Sequence, residues 1–229
     1  MDIPSKQVYE TLANAGVDTI YHANSVVTAC EYIRKKALLS RGTVERIGLK
    51  QTPQASDQLD KRYGIWFDVF ADSVDIHARA GRRNVYGPVL FVIDSKIIEN
   101  TYTGRLWVTK QNPTKWSGTK EHEKWFQSKS ELDEGFVYGR FDQMIVFRHC
   151  GGALPFCKYL KEIIVDDPQL ESEQGVDLFS MAVDALRYAM AQSGLSVPIR
   201  KRECNGSCSC VDEYEEDDEL SLQMFDPKI

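Results

Sequence analysis

The stretch Val17-Asp18-Thr19-Ile20-Tyr21-His22-Ala23-Asn24-Ser25-Val26-Val27-Thr28-Ala29-Cys30 decides the fold. Its first part, 17–22, carries the β-branched and aromatic residues that favour an extended chain, and is read as the first strand. The period then changes. Val26, Cys30, Ile33 and Ala37 recur on one helical face, so Ser25 is read as the cap of a helix running to about residue 38. A strand passing directly into a helix sets His22 and Asn24 at a junction where ligands often sit. The plain alternative is that both side chains cap the helix and bond backbone. The spacing of His-x-Asn does not choose between these.

Working outward, 2–15 reads as a short helix, and 40–62 is polar and rich in Gly, Thr, Gln and Asp. A loop of that length in a compact domain is usually functional or mobile. From Tyr63 the pattern turns to strands, predicted at 65–70, 87–93, 105–109, 143–149 and 161–165. The run 87–93 is continuously apolar, as in a buried strand. Residues 110–135 read as a long loop with a short helix. Val176, Phe179, Val183, Leu186 and Met190 form the stripe of a helix over 176–192, with Gly194 just past its end. There is no internal repeat. One early strand and helix followed by a strand-rich region predicts an α+β sheet domain.

The 229 residues suit one domain, read as 1–195, with an appended Cys-containing acidic tail at 196–229. At 42% hydrophobic and 27% charged residues, the composition is globular. No apolar run reaches the roughly 18 residues of a membrane helix, and the first residues lack a signal-peptide pattern. The expectation is a soluble, cytoplasmic chain that uses no membrane, with its six cysteines reduced. The net charge of −6 is unevenly spread: residues 211–229 hold eight acids and one base, and the rest is balanced at 27 bases to 26 acids. A near-neutral body with local basic clusters can still bind a polyanion. The acid run reads as disordered on its own. It could mimic nucleic acid, dock a protein, or simply solubilise.

Several groups could carry chemistry. Arg62, at the end of the polar loop, could pair with a diphosphate through its fork of donors; otherwise it is a solvated basic residue. Asp75-Ile76-His77-Ala78-Arg79 with Arg82-Arg83-Asn84 could track phosphates or support the structure. It shows no third metal ligand at sensible spacing. Cys204-x3-Cys208-x-Cys210 offers three thiols and no nearby His, short of the four-ligand set that zinc needs, so no metal site is expected. Arg140-Phe141-Asp142-Gln143-Met144-Ile145-Val146 places polar groups at the mouth of an apolar strand, where they could hold a sugar hydroxyl or form a turn. Trp107, Trp116 and Trp125, interleaved with Lys110, Lys115, Lys120 and Lys124, could stack bases and attract phosphates. They could equally be core aromatics under a lysine-rich loop.

Taken in order from about Ile20 to Pro168, these pieces resemble the DarT family of ADP-ribosyltransferases. His22-Ala23-Asn24 stands where the family has a His-x-Thr motif that grips NAD. Ala37-Leu38-Leu39-Ser40 resembles its "GLL" helix ending, Gly87 to Ile93 its proline-led strand and Leu106 to Lys110 the next. Arg140 to Val146 resembles its Arg-x-Ala-Glu-Phe-Leu-Val segment, and Glu162 to Val165 its last strand. The resemblance implies an ADP-ribosyltransferase fold, a split mixed or antiparallel sheet with flanking helices. It implies NAD as co-substrate, held by His22, Asn24 and Arg62. It further implies transfer of ADP-ribose to a nucleobase in single-stranded DNA or RNA, in a toxin or anti-phage effector partnered by an antitoxin or chaperone protein. Gln143 falls where the family's catalytic Glu is expected, with Asp142 before it. Gln can hydrogen-bond but cannot act as a base. Either Asp142 takes the proton, or the acceptor needs little deprotonation, or the chain is inactive. A protein-directed transferase and an inactive NAD- or nucleic-acid-binding module are the competing readings.

Overall fold

A computed structural model describes residues 2–100, 104–204 and 206–228. In chain order the first half holds β1 (Ile3–Pro4), α1 (Ser5–Asn14), β2 (Thr19–Asn24), α2 (Val26–Lys35), β3 (Ala37–Leu39), α3 (Arg41–Arg46), α4 (Asp57–Arg62), β4 (Val69–Ala71), α5 (Ile76–Ala80) and β5 (Val89–Asp94). The second half holds β6 (Arg105–Val108), α6 (Glu121–Lys124), α7 (Lys129–Gly135), β7 (Ile145–Phe147), β8 (Ala153–Pro155), β9 (Leu160–Val165), α8 (Leu178–Ser193), β10 (Ile199–Lys201), α9 (Cys210–Glu215) and α10 (Asp218–Phe225).

The strands form two four-stranded sheets and a small hairpin-like pair. One sheet has the order β10-β9-β5-β2, the other β1-β6-β7-β4, and β3 pairs with β8. The first is mixed, because β10 joins β9 in parallel while β9, β5 and β2 are antiparallel. The second is antiparallel throughout. The edges of the sheets meet where Tyr21 of β2 bridges Asp72, one residue past β4. The expected split mixed sheet with flanking helices is therefore what the chain forms.

β2 pairs with β5 over its whole length, with His22 opposite Phe91. The pleat turns Ile20, His22 and Asn24 to the face covered by α2, and Tyr21 and Ala23 to the other. α2 is more deeply buried than its single apolar stripe foretells: every residue from Val26 to Ile33 is buried. The helix is held between the sheet and α8, the situation in which a helix is apolar on more than one side. Arg34 ties the pair by donating to Gln192 at 2.8 Å.

Three expectations are corrected here. The helix from Ser25 does not reach residue 38. Lys36 enters the left-handed region at φ 53° and releases residues 37–39 as β3. The polar stretch 40–62 is not a bare loop, since it contains α3 and α4. The described residues from 196 to 228 pack on the body. β10 extends the first sheet, and Cys210, Tyr214, Met224 and Phe225 belong to the main core. The acidic run forms α9 and α10 because its few apolar residues fall on one side and find that core. Among the described residues, no helix is long and apolar enough to cross a membrane.

Candidate functional site

The Tyr21–Asp72 seam is closed by two backbone hydrogen bonds, Tyr21 N–H to Asp72 O at 2.9 Å and Asp72 N–H to Tyr21 O at 2.8 Å. Over this seam lies a cleft, open at its mouth. Its floor is His22, Ala23 and Asn24 from β2 with Val69 and Phe70 from β4. Ser40 and Arg41 at the start of α3, Leu59 and Asp60 of α4, Tyr86 and the turn 112–114 make the walls.

His22 is the centre of the floor. Its Nδ1 lies 2.8 Å from Phe70 O, and a carbonyl can only accept, so Nδ1 carries the proton. Burial drives the His22 pKa down to about 4, against the raising effect of that hydrogen bond. The ring is thus neutral, and its Nε2 is a lone-pair acceptor. That atom is buried and has no partner among the described residues. An unpaired buried polar atom is costly, and here it faces a cleft that could supply a donor.

Asn24 acts differently. Its Nδ2 donates to Tyr32 Oη at 3.1 Å and its Oδ1 accepts from Ser25 N–H at 2.9 Å. It holds the strand-to-helix turn and sets the Tyr32 hydroxyl beside the cleft. The proton of that hydroxyl has no acceptor among the described residues, and burial pushes the Tyr32 pKa up, so it stays a donor. The turn also demands a glycine opposite it. Gly87 has φ 139°, and a Cβ there would come within 2.2 Å of the Asn24 carbonyl carbon.

The cation in the wall is Arg41, not Arg62. Arg41 forms a fork with Asp57, Nε to Oδ1 at 2.8 Å and Nη2 to Oδ2 at 2.7 Å, and Nη2 also reaches Thr52 O at 2.9 Å. Its remaining nitrogen, Nη1, is buried without a partner among the described residues. Arg62 is exposed at the end of α4 with its guanidinium 5.9 Å from the Tyr63 ring, and is not a cleft residue. The helical turns in 40–62 place Arg41 in the cleft wall and Arg62 outside it.

Neither Gln143 nor Asp142 lines the cleft. The Gln143 amide is consumed by its own neighbourhood: Oε1 accepts from Val137 N–H at 2.7 Å and Nε2 donates to Gly135 O at 2.8 Å. The next residue, Met144, faces the cleft instead, as alternation along an extended chain requires. Asp142 holds Lys115 Nζ at 2.8 and 2.9 Å and accepts from Asn112 N–H at 3.3 Å. Burial pulls its pKa up, but Lys115 and the Asn112 N–H together hold it below the usual value. Asp142 therefore anchors the turn that carries Asn112 to the cleft mouth.

The cleft has carboxylates of its own. Burial raises Asp60 and Asp68 each to about 6, and raises Asp72 to about 7, with the charge of Asp75 adding to the last. Asp68 is paired with Arg148 at 2.8 Å, and Asp60 accepts from Ser56 at 3.3 Å. The Asp72 carboxylate has no hydrogen bond or ion pair among the described residues. It lies at the seam and lines the cleft. Nothing in the local sequence around Asp72 singled it out, because its position depends on the bridge to Tyr21.

The tryptophan and lysine loop is core, not a stacking platform. Trp116 and Trp125 are buried with Ile65, Met144 and Val146, their ring centroids 4.9 Å apart. Trp107 is half-buried under Arg148. Lys110, Lys115 and Lys124 are paired with Glu131, Asp142 and Glu121. Away from the cleft, the expectation of no metal ligand set is also corrected. The fold brings His77 to Cys204, Cys208 and Cys210, with the four ligand atoms within 4.8 Å of one another. The sequence hid this because 127 residues separate His77 from Cys204.

No protein-family profile matches the chain, and no curated protein matches it. Among solved structures, Thermus sp. 2.9 DarT in complex with ADP-ribosylated ssDNA aligns with a TM-score of 0.49 at 12% identity, over 82% of this chain and 95% of that chain.

Proposed function

We propose that the chain is an NAD-dependent mono-ADP-ribosyltransferase that modifies a nucleobase in single-stranded nucleic acid, with the seam cleft as its active site. The observation that carries the reading is the pair of buried, unpartnered polar atoms in that cleft, His22 Nε2 as an acceptor and Arg41 Nη1 as a donor. They suit a ligand bearing both hydroxyl groups and an anionic diphosphate. The ordered resemblance from His22 to Val165 points the same way. NAD supplies an ADP-ribosyl group on a C1′–nicotinamide bond.

In this reading His22 accepts a hydrogen bond from a ribose hydroxyl, and Tyr32, set by Asn24, donates beside it. Arg41 directs its free N–H at a diphosphate oxygen, with Asp57 fixing its orientation. Asp72 takes the parts first expected of Gln143 and Asp142: it holds the ribose as the C1′–nicotinamide bond breaks and nicotinamide leaves, and it accepts the proton of the incoming nitrogen. A carboxyl titrating near neutrality is suited to that. The exposed side chains Val137 and Tyr138 lie in the same turn as Arg140. A Cβ at Gly139 would approach Arg79 Nε to 3.2 Å, so Arg79 stands against this turn. An exposed aromatic with basic neighbours suits a flexible single strand. An antitoxin or chaperone partner and a toxin or anti-phage role belong to the same reading.

The engagement of Gln143 by backbone favours a second reading, a binding module without turnover. The experiment is incubation with labelled NAD and single-stranded DNA, single-stranded RNA or protein in parallel. Label on a single-stranded nucleic acid is expected. Label on protein alone would move the activity to the protein-directed class. Intact NAD binding with no transfer would leave the binding module.

A further inference from the structure

We propose that His77, Cys204, Cys208 and Cys210 form a structural zinc site that fastens the C-terminal segment to the body. His77 is buried on the short helix α5, whose start is capped by Asp75: Oδ1 accepts from His77 N–H at 3.1 Å. The three cysteines follow β10 and lead into α9.

The distances fit one tetrahedral ion. Cys204 Sγ lies 3.3 Å from Cys210 Sγ, Cys208 Sγ lies 3.5 Å from His77 Nε2, and Cys204 Sγ lies 3.8 Å from the same nitrogen. Zinc bonds of about 2.3 Å to sulfur and about 2.05 Å to nitrogen give tetrahedral edges of about 3.8 Å between sulfurs and about 3.6 Å from sulfur to nitrogen. All pairs lie within 4.8 Å, so adjustments of up to about 1 Å would seat the ion. Three thiolates and one imidazole are soft donors, which select zinc over oxygen-loving cations. All four positions come from the protein, the closed arrangement of a structural site. Cys204 is exposed and Cys210 buried, which leaves a path for metal to enter.

The surroundings are built to hold this geometry. Ser209 N–H donates to Gly81 O at 2.8 Å, locking the cysteine loop to the end of α5. Arg202, two residues before Cys204, donates to Asp166 Oδ1 at 2.8 Å and also pairs with Asp75. Tyr214 donates to the other Asp166 oxygen at 2.8 Å. None of the four ligands lines the seam cleft, so the site stands whatever reaction the cleft performs. Asp72 of the cleft lies five residues before His77 in the chain. On binding, the three thiols release their protons and zinc closes a long loop between the middle of the chain and its end.

The test is metal analysis of the full chain purified without chelator. About one zinc per chain is expected. Mercurial titration of the thiols should release it, and cobalt substitution should give the intense visible bands of a tetrahedral site with sulfur ligands. Cys208→Ser should cut zinc content at least tenfold and lower Tm. If that variant does not fold, the cobalt spectrum of the unaltered protein decides alone. Absence of zinc after growth in zinc-supplemented medium, with a weak octahedral cobalt spectrum, would overturn the proposal. So would a Cys204–Cys210 disulfide in metal-free, folded protein.

Discussion

His22 Nδ1 lies 2.8 Å from the carbonyl oxygen of Phe70, so the first strand of one half-sheet is tied by a side chain to the fourth strand of the other. Both are edge strands, β2 at the end of the order β10-β9-β5-β2 and β4 at the end of β1-β6-β7-β4, and the contact lies beside the Tyr21–Asp72 bridge. It fixes the tautomer of the ring and thereby makes Nε2 an acceptor in the cleft. A neutral His22 is a structural requirement with a pH signature. Its folded pKa of about 4 lies below the ordinary histidine value of 6.5. The unfolded chain therefore binds a proton between those values that the folded chain refuses. Stability is lost as pH falls from 6.5 towards 4.

The first prediction follows from that sign. His22→Asn should reduce the loss of stability between pH 6.5 and pH 4 by on the order of 1–3 kcal/mol. Asp60, Asp68 and Asp72 act oppositely: their raised values mean that the folded chain binds protons the unfolded chain has released, so stability falls as pH rises from about 4 to 7. Denaturant unfolding of both proteins across pH 4–8 isolates the histidine as the difference. The same variant should bind NAD about tenfold more weakly, the value of one hydrogen bond. An unaltered acid profile would show that the ring is charged or solvated.

Arg41 and Arg62 can be told apart by substitution. Arg41→Ala strands Asp57 in a largely buried position and removes the cleft's unpaired donor. It should cost about 2–3 kcal/mol of stability and weaken NAD binding about a hundredfold. Arg41→Lys keeps the charge, loses the fork, and should restore part of the stability but little of the affinity. Arg62→Ala should change stability by no more than about 0.5 kcal/mol and leave NAD affinity unchanged. Calorimetric titration with NAD reads the contrast, and a large effect at Arg62 would reject this assignment of the cleft.

Gln143→Ala should act on the fold. Two buried hydrogen bonds, to Val137 N–H and Gly135 O, disappear with the amide. The expected loss is about 1–3 kcal/mol, seen as a lower Tm. Transfer measured well below that Tm should persist. Abolished transfer in a variant of unchanged Tm would return Gln143 to the reaction and require a rearranged 135–143 loop.

Asp72→Asn separates chemistry from stability. With the carboxyl titrating at about 7, transfer by the unaltered protein should rise with pH through neutrality, as the proton acceptor becomes available. The variant should lose that limb and at least about a hundredfold in rate. Its stability should meanwhile increase relative to the unaltered protein at pH 8 and not at pH 4, because the amide avoids ionisation in a poorly solvated site. A surviving limb would transfer the role to Asp60 or Asp68.

The sequence alone determined the local structure around its deciding stretch. The β-branched run before His22 and the helical period after Ser25 set β2 and α2, the apolar run at 87–93 set β5, and Gly194 ended α8. These are short-range signals, carried by backbone preference and side-chain periodicity, and they sufficed to predict an α+β sheet domain and to place His22 and Asn24 at a strand-to-helix junction; the split of the sheet was implied by the family resemblance. Tertiary structure decided which groups share the cleft with them. Arg41 replaces Arg62 because α3 and α4 form inside a stretch that reads as loop. Asp72 enters, and Gln143 leaves, because the register at the seam and the pleat before β7 fix which side chains face inward. His77 meets the three cysteines only after β10 and α9 have packed on the body. Each of these depends on contacts between residues tens to more than a hundred positions apart, for which neither propensity nor spacing along the chain carries a signal.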